Sequence, residues 1–137
     1  KVYEARGAIE VALTKMAAKR ATPEDIHRIQ TAMARMEASV EDDDAFVEAD
    51  LDFHLRVAEA SKNELLEQFY HLSQKLIRDA IHEMVDLSGV KQESILHQRA
   101  ILTAIDQGDP GRAEQAAEEH MAYVDELLDR WDKQRSK

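Results

Sequence analysis

Apolar residues recur at three- and four-residue spacing along almost the whole chain, and little interrupts them. Only four Gly and two Pro are spread over 137 residues. A many-stranded sheet needs far more turn-forming residues, so the chain is constrained to a few long helices. Val2, Ala5, Ile9, Leu13 and Met16 make a first apolar stripe. Thr22 reads as an N-cap, with Pro23 at the first helical position and Asp25 closing a box-like cap. The second helix runs to about Ser39, with Ile26, Ile29, Met33 and Met36 inward. The acidic run Glu41 to Asp44 favours the start of a third helix, which carries Phe46, Val47, Leu51 and Val57. Ser61-Lys62-Asn63 breaks the pattern, with Asn63 placed to cap a fourth helix whose Leu65, Phe69, Leu72, Leu76 and Ile77 are expected inward. Ser88-Gly89 is the clearest break. A fifth helix follows with Ile95, Ile101, Leu102 and Ile105. Gly108-Asp109-Pro110 starts a sixth, with Ala113, Ala116, Ala117, Met121, Val124, Leu127, Leu128 and Trp131. The predicted fold is all-α, an antiparallel bundle of six to seven helices with short connections, forming one domain over 1–137.

Composition narrows the function classes. Cysteine is absent, which removes a disulfide framework and a thiolate zinc site. The formal net charge of −10 argues against this segment binding nucleic acid by itself, since phosphate contacts dominate that affinity. No apolar run approaches the roughly 18 residues of a membrane span, and no signal-peptide pattern opens the chain. A cytoplasmic protein without a membrane partner is expected.

Several polar residues sit where the helical pattern asks for apolar ones. Asp50 and His54 are four residues apart, flanked by Val47, Leu51 and Val57. At that spacing side chains lie one above the other, so a carboxylate oxygen and an imidazole nitrogen can reach a common point. His120 is the centre of the stripe that holds Ala113, Ala116, Ala117, Val124 and Leu127. Gln98 is equally surrounded, by Ile95, Ile101, Leu102 and Ile105, whereas His97 is expected to point about 100° away, toward Ser94 and Ala100. Asp50, His54 and His120 are the candidate metal ligands. Two imidazoles and a carboxylate suit zinc first, with nickel, manganese or iron as alternatives. The bland reading is a pair of hydrogen-bonded core histidines. Arg6 borders the first stripe. It is either a snorkelling surface side chain or a guanidinium directed into a cavity to receive a carboxylate. Only Glu24–His27 has the Glu-x-x-His spacing of a di-iron bundle, so that enzyme class is set aside. His27, His71 and His82 read as solvated.

The strings Tyr3-Glu4-Ala5-Arg6 and Ala21-Thr22-Pro23-Glu24-Asp25 resemble the opening of the FCD domain. That domain is the effector-binding module of the FadR subfamily of GntR transcription regulators. Asp50-Leu51-Asp52-Phe53-His54 with Ala58-Glu59-Ala60-Ser61-Lys62-Asn63 is similar to its central signature. Arg99 to Ile105, Gly108-Asp109 and His120 are similar to its last two helices. The resemblance implies a cavity floored by a divalent metal, which many relatives hold with one Asp and three His. Asp50, His54 and His120 match three of those positions. Gln98 stands where the family has its third His, and His97 is one place early. A three-ligand site completed by water or effector is what remains implied.

A small carboxylate effector is expected, contacted by Arg6, Gln98 and Asn63, the last more as a helix cap than as a contact. The resemblance also implies a homodimer. DNA contact would be made by an N-terminal winged helix-turn-helix that is not found in this chain. The leading expectation is therefore an effector-sensing and dimerisation domain. The alternatives are a small metalloenzyme with a two-His, one-carboxylate centre, and a purely structural bundle.

Overall fold

The computed structural model describes residues 2–135, which form six helices and, among the described residues, no strand. The helices are α1 (Val2–Arg20), α2 (Pro23–Ala38), α3 (Asp43–Ala60), α4 (Glu64–Met84), α5 (Val90–Asp106) and α6 (Pro110–Arg135). Their starts are set by side chains that satisfy the first unpaired backbone N–H groups. Thr22 Oγ1 accepts from Asp25 N at 3.1 Å while Asp25 Oδ2 accepts from Thr22 N at 2.9 Å, the reciprocal cap expected at α2. Asp42 caps α3 and Asn63 caps α4, each accepting at 3.1 Å. Asp109 accepts from Arg112 N at 3.1 Å at the start of α6. Gly89 and Gly108, at φ 81° and 64°, make the left-handed turns that let the chain reverse before α5 and α6.

Helix α1 lies inside the bundle, packed against α3, α4, α5 and α6, while α2 covers α3 and α5. The core between them holds Ile29, Met36, Phe46, Val47, Leu51, Phe53, Ile77, Ile101 and Ile105, all nearly inaccessible. Burying a side chain of that size contributes ~1.5–3 kcal/mol, so these positions carry the bundle.

Two stripes differ from the sequence expectation. On α1, Ala5 is exposed and Ile9 and Met16 are half-buried; the side chain of Val2 lies outside the described residues. The inward face is Arg6, Glu10, Leu13, Thr14 and Ala17. This face follows the same period, rotated by one position, and its first half is polar. On α4, Leu65, Phe69, Leu72 and Leu76 are exposed, and the inward face is Tyr70, Ser73, Gln74, Ile77, Ala80, Ile81 and Met84. The α4 stripe misled because both faces have helical spacing, and the more apolar one is not the one against the core.

Candidate metal and effector site

The polar half of α1 meets α3, α4 and α6 at one buried point. Arg6, Glu10, His54 and His120 are each at most 4% exposed. Such a concentration of ionisable groups in a bundle interior is stable only if the groups neutralise one another. They do so in a chain. The Arg6 guanidinium lies 3.5 Å from Glu10 Oε2, 3.5 Å from the Tyr70 hydroxyl, and over the Tyr70 ring at 5.8 Å from its centre. The Tyr70 hydroxyl donates to Glu10 Oε2 at 3.4 Å. The other Glu10 oxygen is in ion-pair contact with His54 Nδ1. His54 Nε2, on the opposite edge of the ring, faces Asp50 Oδ1 at 3.4 Å. The His54 and His120 rings stack, 5.4 Å apart and 12° from parallel.

These placements fix the protonation states. Burial would strip charge from every member, but the neighbours win at four of them. Glu10 is held down at about 2 by His54 and Arg6 against the cost of burial. His54 is pushed up to about 9 by Glu10 and Asp50, again against burial. Asp50 is lowered by His54 and Gln98, and Arg6 is raised by Tyr70, Glu10 and Asp50. His120 goes the other way: burial first, then the charge on His54, pushes it down to about 3, so it is neutral. The cluster thus contains two cations and two anions beside one neutral imidazole.

Each predicted ligand has an outer partner. Glu10 holds His54 by Nδ1. His97 Nδ1 lies 3.3 Å from His120 Nδ1, with the His97 ring edge-on to it and to the Tyr123 ring. Glu93 lies 3.5 Å beyond, at His97 Nε2. Gln98 Nε2 donates to Asp50 Oδ1 at 2.5 Å. His97 therefore reaches the cluster, contrary to the expectation that it points away. Positions 97 and 98 both turn inward, His97 toward His120 on α6 and Gln98 toward Asp50 on α3. Arg6 is buried rather than snorkelling. Asn63 caps α4, with its amide nitrogen 3.8 Å from the Met16 sulfur, and it does not line the cavity. Sequence reasoning missed Glu10 and Tyr70. Glu10 carried a usable signal, since it is four residues from Arg6 and three from Leu13 on one face. Tyr70 carried none, because only the packing of α4 on α1 brings it in.

The cavity beside the cluster is lined by Arg6, Asp50, His54, Ser94 and His120 on its polar side, and by apolar residues including Phe46, Val47, Met84 and Val124 on the other. Its volume is about 40 Å³. That is room for an ion with a water or two. An organic acid enters only if the apolar wall yields. Ligand atoms of Glu10, His54 and His120 all lie within 4.8 Å of one another, close enough to share one ion.

The family model of the FCD domain matches residues 1–123. The chain belongs to the FCD family. The putative L-lactate dehydrogenase operon regulatory protein of Escherichia coli is 33% identical, over 99% of this chain and 54% of its own length. The galactonate operon transcriptional repressor of E. coli is 34% identical over 83% and 50%. The regulator LutR of Bacillus subtilis is 29% identical over 93% and 60%. The chain thus spans about half the length of the curated relatives it matches. Among solved structures, E. coli McbR/YncC shares the fold at a TM-score of 0.82 and 16% identity, covering 94% of this chain and 66% of that one. Streptococcus agalactiae GntR does so at 0.74 and 23%, covering 90% and 56%. These relatives carry the names of transcriptional regulators.

Proposed function

We propose that this domain senses a small organic acid for a bacterial GntR-family regulator, and that Asp50, His54 and His120 would hold a divalent metal in its cavity. The observation that carries the reading is the cluster of buried Arg6, Glu10, His54 and His120 with half-buried Asp50, all but Glu10 lining one cavity. Purely structural bundles have no reason to retain so many buried charges, because apolar replacements are often as stable.

The donor set fits a metal. Imidazole nitrogens and a carboxylate suit zinc, with nickel, manganese or iron as further candidates. Metal-ligating imidazoles commonly offer one nitrogen and donate the N–H of the other to an outer carboxylate or other acceptor. His54 and His120 are both anchored that way, by Glu10 and His97 through Nδ1, which leaves Nε2 to the site. Glu10 is accordingly read as the residue that orients His54 rather than as a ligand. Gln98 orients Asp50 through its amide nitrogen. Three protein ligands leave positions open for water or effector.

Charge then selects the guest. A metal on His54 Nε2 would displace the proton there and leave that ring neutral, so Arg6 and a divalent ion would carry three positive charges against the two carboxylates of Glu10 and Asp50, an excess of one. A monocarboxylate cancels it, and Arg6 suits such a group geometrically. The names of two relatives refer to L-lactate and galactonate operons. Both acids are 2-hydroxycarboxylates, which can place a carboxylate and a hydroxyl oxygen on open metal positions together. The guest's differential affinity for two arrangements of the bundle would set the placement of an N-terminal DNA-binding module. Metal analysis of protein purified without chelators, followed by calorimetry with 2-hydroxy acids, tests the reading. Saturable binding that is lost on chelation is expected. Equal binding by chelated protein removes the metal from the proposal, and no binding of any carboxylate by metal-loaded protein ends it.

A further inference from the structure

Gln98 is fully buried, and its amide oxygen has no hydrogen-bond partner among the described residues. A buried acceptor without a partner is a cost that a native fold keeps only for a reason. A leucine would fill the position without that cost. The other end of the same amide is well placed: Nε2 donates to Asp50 Oδ1 at 2.5 Å. Nε2 and Oε1 hang on one planar group, so this hydrogen bond also holds Oε1 beside the Asp50 carboxylate. Ser94, one turn earlier on the same face of α5, lines the cavity.

An orphaned acceptor is satisfied by a proton donor or by a cation. The donors of the cluster are committed. The Tyr70 hydroxyl and His54 Nδ1 are on Glu10, His54 Nε2 faces Asp50, and His120 Nδ1 faces His97. Arg6 Nε is also without a partner, but it does not meet Gln98 within the fold. The two atoms ask for opposite guests, an anion at Arg6 and a positive centre at Gln98. The atoms around Gln98 Oε1 are themselves ligand types: a carboxylate oxygen and, beyond it, the imidazole of His54.

We propose that Gln98 Oε1 is a fourth protein donor to an ion on Asp50, His54 and His120, and that it tilts the site from zinc toward manganese. The inference rests on the metal reading of this cavity. One amide then does two things. Its N–H orients the Asp50 carboxylate and its oxygen binds the ion, which closes a small ring through the hydrogen bond. The donor set becomes two imidazole nitrogens and two oxygens. Carboxylate and carbonyl oxygens suit manganese, whereas a further imidazole suits zinc. Zinc keeps the higher absolute affinity, as the usual order of divalent ions requires; Gln98 narrows the gap. A six-coordinate ion would retain two positions, enough for the two oxygens of a 2-hydroxy acid.

Competition titrations of the chelator-stripped 137-residue chain, with zinc alone and with manganese alone, measure that gap. Gln98→His puts a nitrogen where the oxygen stands and should raise the zinc-to-manganese affinity ratio by about tenfold or more. Gln98→Leu should weaken manganese more than zinc. Loss of Asp50 orientation alone would weaken both ions by one factor, because the same carboxylate serves both, and that result overturns the proposal. A Gln98→His variant with the parent's ratio overturns it as well. In either case the metal reading of the cavity stands and only the donor role of Gln98 falls. A parent that binds neither ion removes the metal reading itself, and this proposal with it.

Discussion

Glu10→Gln in the metal-free domain isolates the electrostatic centre of the cluster. The substitution keeps the shape of the side chain and removes its charge. It leaves Arg6 and His54 buried without the anion they share. The size of the loss follows from the titration of the group itself. A carboxyl moved from 4.5 to about 2 gains about 3 kcal/mol in its charged form, since each pKa unit is worth about 1.4 kcal/mol. His54, moved from 6.5 to about 9, reports largely the same attraction from the other partner, so the two are not added. Breaking a buried pair from one side costs ~3–5 kcal/mol in general, which agrees. For a domain of this size that is about 10 °C in Tm.

The pH dependence should change with it. A histidine whose pKa is raised in the folded state stabilises fully below its unfolded value, and that contribution is lost as pH rises through the folded value. The parent should therefore lose stability between pH 6.5 and about 9. Glu10→Gln should flatten much of that slope, because His54 is no longer held in its charged form by Glu10. Urea denaturation of both chelator-treated proteins at several pH values measures both effects. A loss below about 1 kcal/mol with the alkaline slope intact would refute the account of the cluster.

Three further outcomes follow from the same geometry. His120 is neutral because its pKa is depressed to about 3, so the metal-free domain should lose stability as pH falls below 6.5. His120→Ala should remove that part of the acid slope between pH 6.5 and 4.5, read by thermal melts. Gln98→Leu removes the donor to Asp50 and should weaken metal binding by ~10-fold or more in competition with a chelating dye; unchanged affinity would show that Gln98 does not orient the carboxylate. Asp25 closes the α2 cap, pairs with Lys62 and is buried, with its pKa lowered; Asp25→Ala should cost ~1–2 kcal/mol, seen in denaturation, and leave metal affinity untouched.

The sequence by itself determined the helices and most of their limits. Caps, Gly breaks and apolar period are local, so Thr22, the acidic run before α3, Asn63, Gly89 and Gly108 could be read without knowing what packs on what. It also exposed His54 and His120 as polar residues in apolar stripes, and both are buried at one point. What it could not decide was rotation about each helix axis where two faces compete. On α4 the more apolar face points outward, and on α1 the inward face begins with Arg6 and Glu10. Periodicity gives the period but not the phase when a helix has apolar side chains on two faces or polar ones on its inward face. Partnerships between helices were equally invisible. Tyr70 on Glu10, His97 on His120 and Gln98 on Asp50 join positions 60, 23 and 48 residues apart. Only the closure of the bundle brings them together, and it is this convergence that turns separate buried polar groups into a site.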